Sequence, residues 1–191
     1  MNQELFSLLH KIDDSAKQHH DLCWCIPFGE GQFLHLLVAL HKPKFILEIG
    51  TSIGFSTIWL ASAAASYSGT VKTIEMNEER IKIAQENFSQ AKLTNITVLQ
   101  GDALAIMKDF HAPFGFVFLD GGKEHYLQEL QTLEKNRCIA KGTLVVADNA
   151  AVLPGKKHDK LLEYLSYVRN SGKYISIYIP FENGLEISYC L

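Results

Sequence analysis

No apolar run in this chain approaches the ~18 residues that a membrane-spanning helix needs, so none is expected. There is no excess of basic charge either. A formal net charge of −3 over 191 residues argues against a nucleic-acid-binding surface. The opening MNQELFSLLHKIDD carries acids and helical periodicity instead of the basic and apolar blocks of an export signal. The expected compartment is therefore cytoplasmic, and the four cysteines (Cys23, Cys25, Cys138, Cys190) are expected as reduced thiols. The segment from His19 to Cys25 invites a zinc reading, but Cys23-x-Cys25 lacks a second, correctly spaced pair. Internal repeats, low-complexity stretches and dividing linkers are absent, so one domain over 1–191 is expected. With apolar residues at 47% and charged residues at 20%, the composition is that of a globular protein with one sizeable core.

What is present is organised around Phe45–Ser56, FILEIGTSIGFS. It opens as a short buried strand, turns at Gly50 and Gly54, and enters a helix-forming run. Such a strand, glycine turn and helix bring backbone N–H groups and a helix N-terminus up to a ligand. Glu48 falls among apolar neighbours at the strand's end. A buried carboxylate is costly without partners, so either a basic or hydrogen-bonding partner or a cationic ligand is implied.

The periodicity predicts amphipathic helices over 3–20, with Leu5, Leu8, Leu9 and Ile12 inward, and over 30–41, burying Phe33, Leu34, Leu37, Val38 and Leu40. Pro43 ends the second. Strands follow at 45–49, 70–75, 96–100, 115–119 and 142–147, with helices at 55–66, 78–92, 103–109 and 124–138. A helix over 157–170 and strands over 174–179 and 185–189, joined through Pro180–Gly184, complete the chain. The alternation predicts an α/β fold: a doubly wound, mostly parallel, seven-stranded sheet with helices on both faces and an antiparallel C-terminal hairpin.

Open α/β sheets bind ligands outside the carboxyl ends of their strands. All five early strands end in a carboxylate or are followed by one: Glu48, Glu75, Asp102, Asp120 and Asp148. Glu75, 25 residues after Gly50, stands where an acid grips the two hydroxyls of an adenosine ribose. The glycine spacing is G-x-x-x-G, not the G-x-G-x-x-G of dinucleotide sites, and Glu48 would repel a pyrophosphate. S-adenosylmethionine, with an ammonium, a sulfonium and no phosphate, suits it better. Asp120, Asp148 and Asn149 make a hard, all-oxygen partial shell that suits Mg²⁺, with Ca²⁺ or Mn²⁺ as alternatives. The competing reading is that Asp148-Asn149 only caps a turn. Lys123 lies three residues beyond Asp120, and a lysine beside a divalent ion can serve as a general base, although most lysines are simply solvated.

These residues resemble those of the cation-dependent class I O-methyltransferases, the group with the catechol and caffeoyl-coenzyme A enzymes. The resemblance covers about 24–191. It rests on EGQFL at 30–34, ILEIGTSIGFST, TIEMN, FVFLDGGKEHY, LVVADN and NGLEISY, in that order. It implies a Rossmann-like fold, with residues 1–42 packing over the cofactor and substrate side. It assigns Glu48, Gly50, Ser52 and Ser56 to the methionine part of S-adenosylmethionine and Glu75 to its ribose. Met76, Asp102 and Ala103 go to the adenine, with Phe28, Gly101 and Asp120 also against the cofactor. Asp120, Asp148 and Asn149 would hold the metal, and Lys123 would be the base. Glu186 would hold the acceptor's second hydroxyl, the alternative being an exposed edge-strand acid. The implied substrate is a small aromatic diol or other phenol, and the resemblance leaves room for a homodimer.

There are departures. Gly121 and Gly122 stand where catechol-type relatives carry larger side chains, which implies a wider pocket. Trp24 is either part of an aromatic wall or ordinary core. The segment after Asn149 lacks the insertion of caffeoyl-type enzymes, which favours a small acceptor. Methyl transfer to an amine or a protein side chain, a nucleotide-cofactor oxidoreductase, and a binding protein without turnover stay open as alternatives.

Overall fold

A computed structural model describes residues 3–18, 24–152 and 158–191. Seven strands form a mixed sheet in the order β3-β2-β1-β4-β5-β7-β6, with helices around it. The chain divides into two compact units, one ending at Asp102 and one beginning at Ala103. Among the described residues no helix is long and apolar enough to cross a membrane. The zinc reading rests mainly on 19–23, which lie outside the described residues.

The first unit runs α1 (Gln3–Gln18), α2 (Phe28–His41), β1 (Phe45–Ile49), α3 (Phe55–Ala65), β2 (Thr70–Glu75), α4 (Glu78–Gln90) and β3 (Ile96–Gln100). Its strands are parallel, with Glu48 level with Thr73 and Glu75 level with Gln100. α3 is buried on nearly every side, as its lack of polar stripe requires. Both N-terminal helices pack on it. The α2–α3 approach depends on Gly31, where a Cβ would lie 2.2 Å from the indole nitrogen of buried Trp59. α2 starts two residues earlier than its periodicity suggests and stops at His41, with Lys42 in the left-handed conformation as its cap. Leu40, expected in the core, is 73% exposed, because it falls on the far side of the helix from Leu34 and Val38.

The second unit holds α5 (Ala103–Ile106) continued by a 3₁₀ turn, β4 (Phe116–Leu119), α6 (Tyr126–Lys135), β5 (Leu144–Ala147), α7 (Asp159–Asn170), β6 (Tyr174–Ile179) and β7 (Leu185–Cys190). β4 and β5 are parallel, while β7 runs antiparallel to both β5 and β6. The last strand thus inserts between β5 and β6, and β6 takes the edge. A polar knot holds α6, α7 and β6 together. Glu134 accepts hydrogen bonds from Tyr174 (2.6 Å), Tyr167 (2.7 Å) and Lys173 (2.9 Å). Those donors hold its carboxyl below the usual range despite the burial that opposes them.

Candidate functional site

The β1 end is built by hydroxyls. Glu48 is fully buried. Its Oε2 accepts hydrogen bonds from Thr57 and from Thr73 (2.6 Å), and Thr73 in turn meets Thr51 at 2.6 Å. Its Oε1 is buried and makes no hydrogen bond among the described residues. Desolvation raises this carboxyl to about 7, against the pull of hydroxyls from Thr57, Thr73 and Ser56. An orphaned carboxylate oxygen in an apolar setting is the feature expected of a group that waits for a cationic or hydrogen-bond-donating ligand.

The turn after β1 is held in shape. Gly50 and Gly54 both have positive φ, and a Cβ on Gly54 would strike the Phe88 ring at 2.4 Å. Ser52 is also left-handed, at φ 48°, a position that disfavours a residue with a side chain. Glu75 compensates. Its carboxylate accepts the Ser52 N–H at 2.8 Å and the N–H groups of Met76 and Asn77 at 3.0 Å each. The acid expected to read a ribose is seen here pinning the glycine turn, a structural role that the strand-end rule does not reveal. Gly101 closes the neighbouring turn by donating its N–H to the Glu75 carbonyl (2.9 Å). Met76 and Asp102 are exposed beyond it. Phe28, half-buried at the start of α2, stacks on His10 with centroids 4.2 Å apart and meets Trp59 edge-on. Trp24 is 74% exposed, which removes the core reading, and its backbone N–H donates to Ser52 Oγ at 3.2 Å.

In the second unit the ends of β4 and β5 bring Asp120, Asp148 and Asn149 together. Asp148 is buried, and burial raises its carboxyl; hydrogen bonds from Asn149 and from the Asp120 side chain, with the charge of Lys123, oppose that rise. Asn149, left-handed at φ 56°, turns its backbone and side-chain N–H groups onto the two Asp148 oxygens at 2.5 Å each. Tyr126 is buried beneath the pair and donates its hydroxyl to the Asp148 carbonyl (3.2 Å). Two adjacent carboxyls in a poorly solvated place must share a proton or a cation. Their oxygens, with the Asn149 amide oxygen, form a donor set that fits a hard divalent ion. Among the described residues no three or more His, Cys, Asp or Glu side chains cluster as a metal site; here the third donor is an amide.

Glu186 is neither exposed nor on an edge. It lies on β7 opposite Ala147, fully buried, with both oxygens forked by Arg169 at 2.8 and 2.6 Å. The hydroxyl-binding role that the resemblance assigns to Glu186 thus meets a carboxylate already engaged within the protein.

A mixed seven-stranded sheet of this order, with acids at its strand ends, defines the class of Rossmann-like methyltransferases, and the solved structures agree. An O-methyltransferase from Bacillus cereus in complex with SAH superposes with a TM-score of 0.84 at 25% identity, covering 100% of this chain and 92% of that one. The family model described as O-methyltransferase matches residues 2–160, and the chain belongs to that family. Catechol O-methyltransferase of Niastella koreensis is 36% identical over 138 residues, which is 69% of this chain and 60% of that protein. Catechol O-methyltransferase B of Danio rerio is 32% identical, with 97% and 72% covered. The chain therefore spans well under the full length of these curated relatives.

Proposed function

We propose that this protein is an S-adenosylmethionine-dependent O-methyltransferase that methylates one hydroxyl of a small catechol-like acceptor with the help of a divalent metal, Mg²⁺ in the first place. The observation that carries this reading is the Asp120–Asp148 carboxyl pair, with Asn149 and Lys123 beside it. The relatives named as catechol O-methyltransferases support the acceptor class. Membership of the family sets aside the oxidoreductase alternative.

The donor residues lie in the first unit. Glu48 Oε1 takes the ammonium end of the donor, with Gly50, Ser52 and Ser56 around it, and Glu75 takes the ribose hydroxyls on lone pairs that its three N–H donors leave open. Bound there, S-adenosylmethionine supplies an electrophilic methyl, and a divalent ion held by Asp120, Asp148 and Asn149 supplies the positive charge that favours a phenolate at neutral pH. Lys123 Nζ accepts the phenolic proton. The acceptor oxygen then displaces sulfur at the methyl carbon: a C–O bond forms, the C–S bond breaks, and its electron pair stays on sulfur. In-line positioning of the two reactants supplies most of the rate. Glu186 is left out of the acceptor's contacts, because Arg169 holds it.

The experiment is transfer of labelled methyl from S-adenosylmethionine to a panel of small phenols. Catechols should be methylated with Mg²⁺ and not in EDTA. Lys123→Ala should lower kcat by about 10²–10⁴-fold, the usual worth of a general base. Full turnover in chelator removes the metal from the reading, and undiminished turnover of Lys123→Ala removes the base.

A further inference from the structure

The backbone that follows β5 is gripped from outside at each of its peptide groups. Asn149 has a φ of 56°, in the left-handed region, which a residue with a side chain keeps only where its surroundings impose it. The end of the β4–β5 ladder fixes the entry, with the Asp148 N–H donated to the Leu119 carbonyl at 2.9 Å. Fully buried Tyr126 then donates its hydroxyl to the Asp148 carbonyl at 3.2 Å. Beyond Asn149 the β6–β7 turn takes over. Ala150 and Ala151 donate their N–H groups to the carbonyls of Gly184 and Asn183, at 2.8 Å each. That turn closes only with glycine. Gly184 has a φ of 81°, and a Cβ there would lie 2.6 Å from the Tyr178 ring and 2.9 Å from the Ala151 nitrogen. The peptide before Asn149 is thus fastened through its carbonyl, and the peptide after it through its N–H. Two adjacent peptides held in this way fix the φ and ψ of the residue between them.

We infer that Tyr126 and Gly184 are positioning residues for the proposed metal site: between them they hold the left-handed backbone that carries the donors of Asp148 and Asn149. The inference rests on the divalent-metal reading above. Mg²⁺ demands near-ideal octahedral geometry, so a donor pair whose connecting backbone can swing binds it less well. Neither Tyr126 nor Gly184 supplies a donor atom to that set; each acts through one backbone group of the Asp148–Ala150 segment. The Tyr126 ring has a separate packing role, meeting the buried Tyr164 ring edge-on with centroids 5.7 Å apart. Removing the Tyr126 oxygen alone therefore releases the Asp148 carbonyl and keeps the ring in place.

Calorimetric titration of Mg²⁺ into the full chain tests this. Tyr126→Phe should weaken Mg²⁺ about tenfold, the low end for partners that orient metal ligands, since the bond it removes is a neutral one. Affinity for S-adenosylhomocysteine, which reads the first unit, should stay as it was. Tyr164→Phe removes a neighbouring buried hydroxyl and should leave Mg²⁺ affinity unchanged, whereas a merely structural role would make the two variants behave alike. Gly184→Ala should weaken Mg²⁺ at least as much as Tyr126→Phe, with far-UV circular dichroism confirming that each variant is folded. In turnover, Tyr126→Phe should need about tenfold more Mg²⁺ for half its maximal rate and recover its kcat once saturated. Native Mg²⁺ affinity in Tyr126→Phe or in folded Gly184→Ala overturns the inference, and so does an equal loss in Tyr164→Phe. Asp148→Asn separates the two readings. If the unmodified protein binds Mg²⁺ and Asp148→Asn does not, the metal reading stands and Tyr126→Phe alone decides this one. If the unmodified protein binds no Mg²⁺, both fall.

Discussion

Binding of S-adenosylhomocysteine should release a proton, and Glu48 should be its source. The carboxyl is raised from 4.5 to about 7 because it is buried with one oxygen unpartnered. A cationic ammonium at that oxygen favours the ionised form, so the ligand-bound protein holds Glu48 charged. With a free-state pKa near 7, about nine in ten molecules carry the proton at pH 6 and about one in ten at pH 8. Affinity should therefore be about tenfold weaker at pH 6 than at pH 8 by linkage. The same shift acts on folding. A carboxyl raised in the folded state makes the native protein bind more protons than the unfolded chain between about pH 4.5 and 7. Stability of the ligand-free protein should fall with rising pH across that window, by about 3 kcal/mol at the full shift, and level off above it. Glu48→Gln removes the titrating group, so the fall in stability that Glu48 causes across that window should disappear from the difference between the two proteins, while ligand affinity is lost. Calorimetry in buffers of different ionisation enthalpy reads the proton directly, and urea titrations at several pH values read the stability. Heats independent of buffer at pH 6, with equal affinity at pH 6 and 8, would refute the assignment of Glu48 to the ligand's cation.

Two further outcomes follow from packing. Arg169→Ala should cost about 3 kcal/mol in urea unfolding, the low end for orphaning a buried charge, because Arg169 itself is 43% exposed. Glu186→Gln in the same background should restore part of it. Gly31→Ala should cost at least about 1–3 kcal/mol by overpacking, and the buried Trp59 fluorescence should report the displacement.

Most of the strands were legible because their signal is local. β-rich runs end in acids or glycines, and the β1, β2 and β3 bounds agree with the expectation to the residue. Helix ends moved both ways, as 78–92 became Glu78–Gln90 and 30–41 became Phe28–His41, because caps depend on backbone geometry that periodicity does not carry. The order of the last two strands was not legible at all. A sequence shows that β6 and β7 form a hairpin, but not which of them reaches β5, and that choice decides which becomes the edge. It also decides the fate of Glu186, which an edge would expose and the interior buries against Arg169. At the candidate site, residue identity pointed to Glu48, Glu75, Asp120 and Asp148, whose structural surroundings are compatible with those assignments. The partners that hold them were hidden. Thr57, Thr73, Tyr126 and the three N–H groups on Glu75 act through contacts that no spacing rule encodes.

Glu75 has one consequence beyond binding. The oxygens proposed to read the donor's ribose also fasten the left-handed turn at Ser52, so recognition and local architecture share the same atoms. A copy of this protein drifting under relaxed selection could not lose the first through this residue and keep the second. Its turn would loosen as its ligand was forgotten, and decay of the activity would register as decay of the fold.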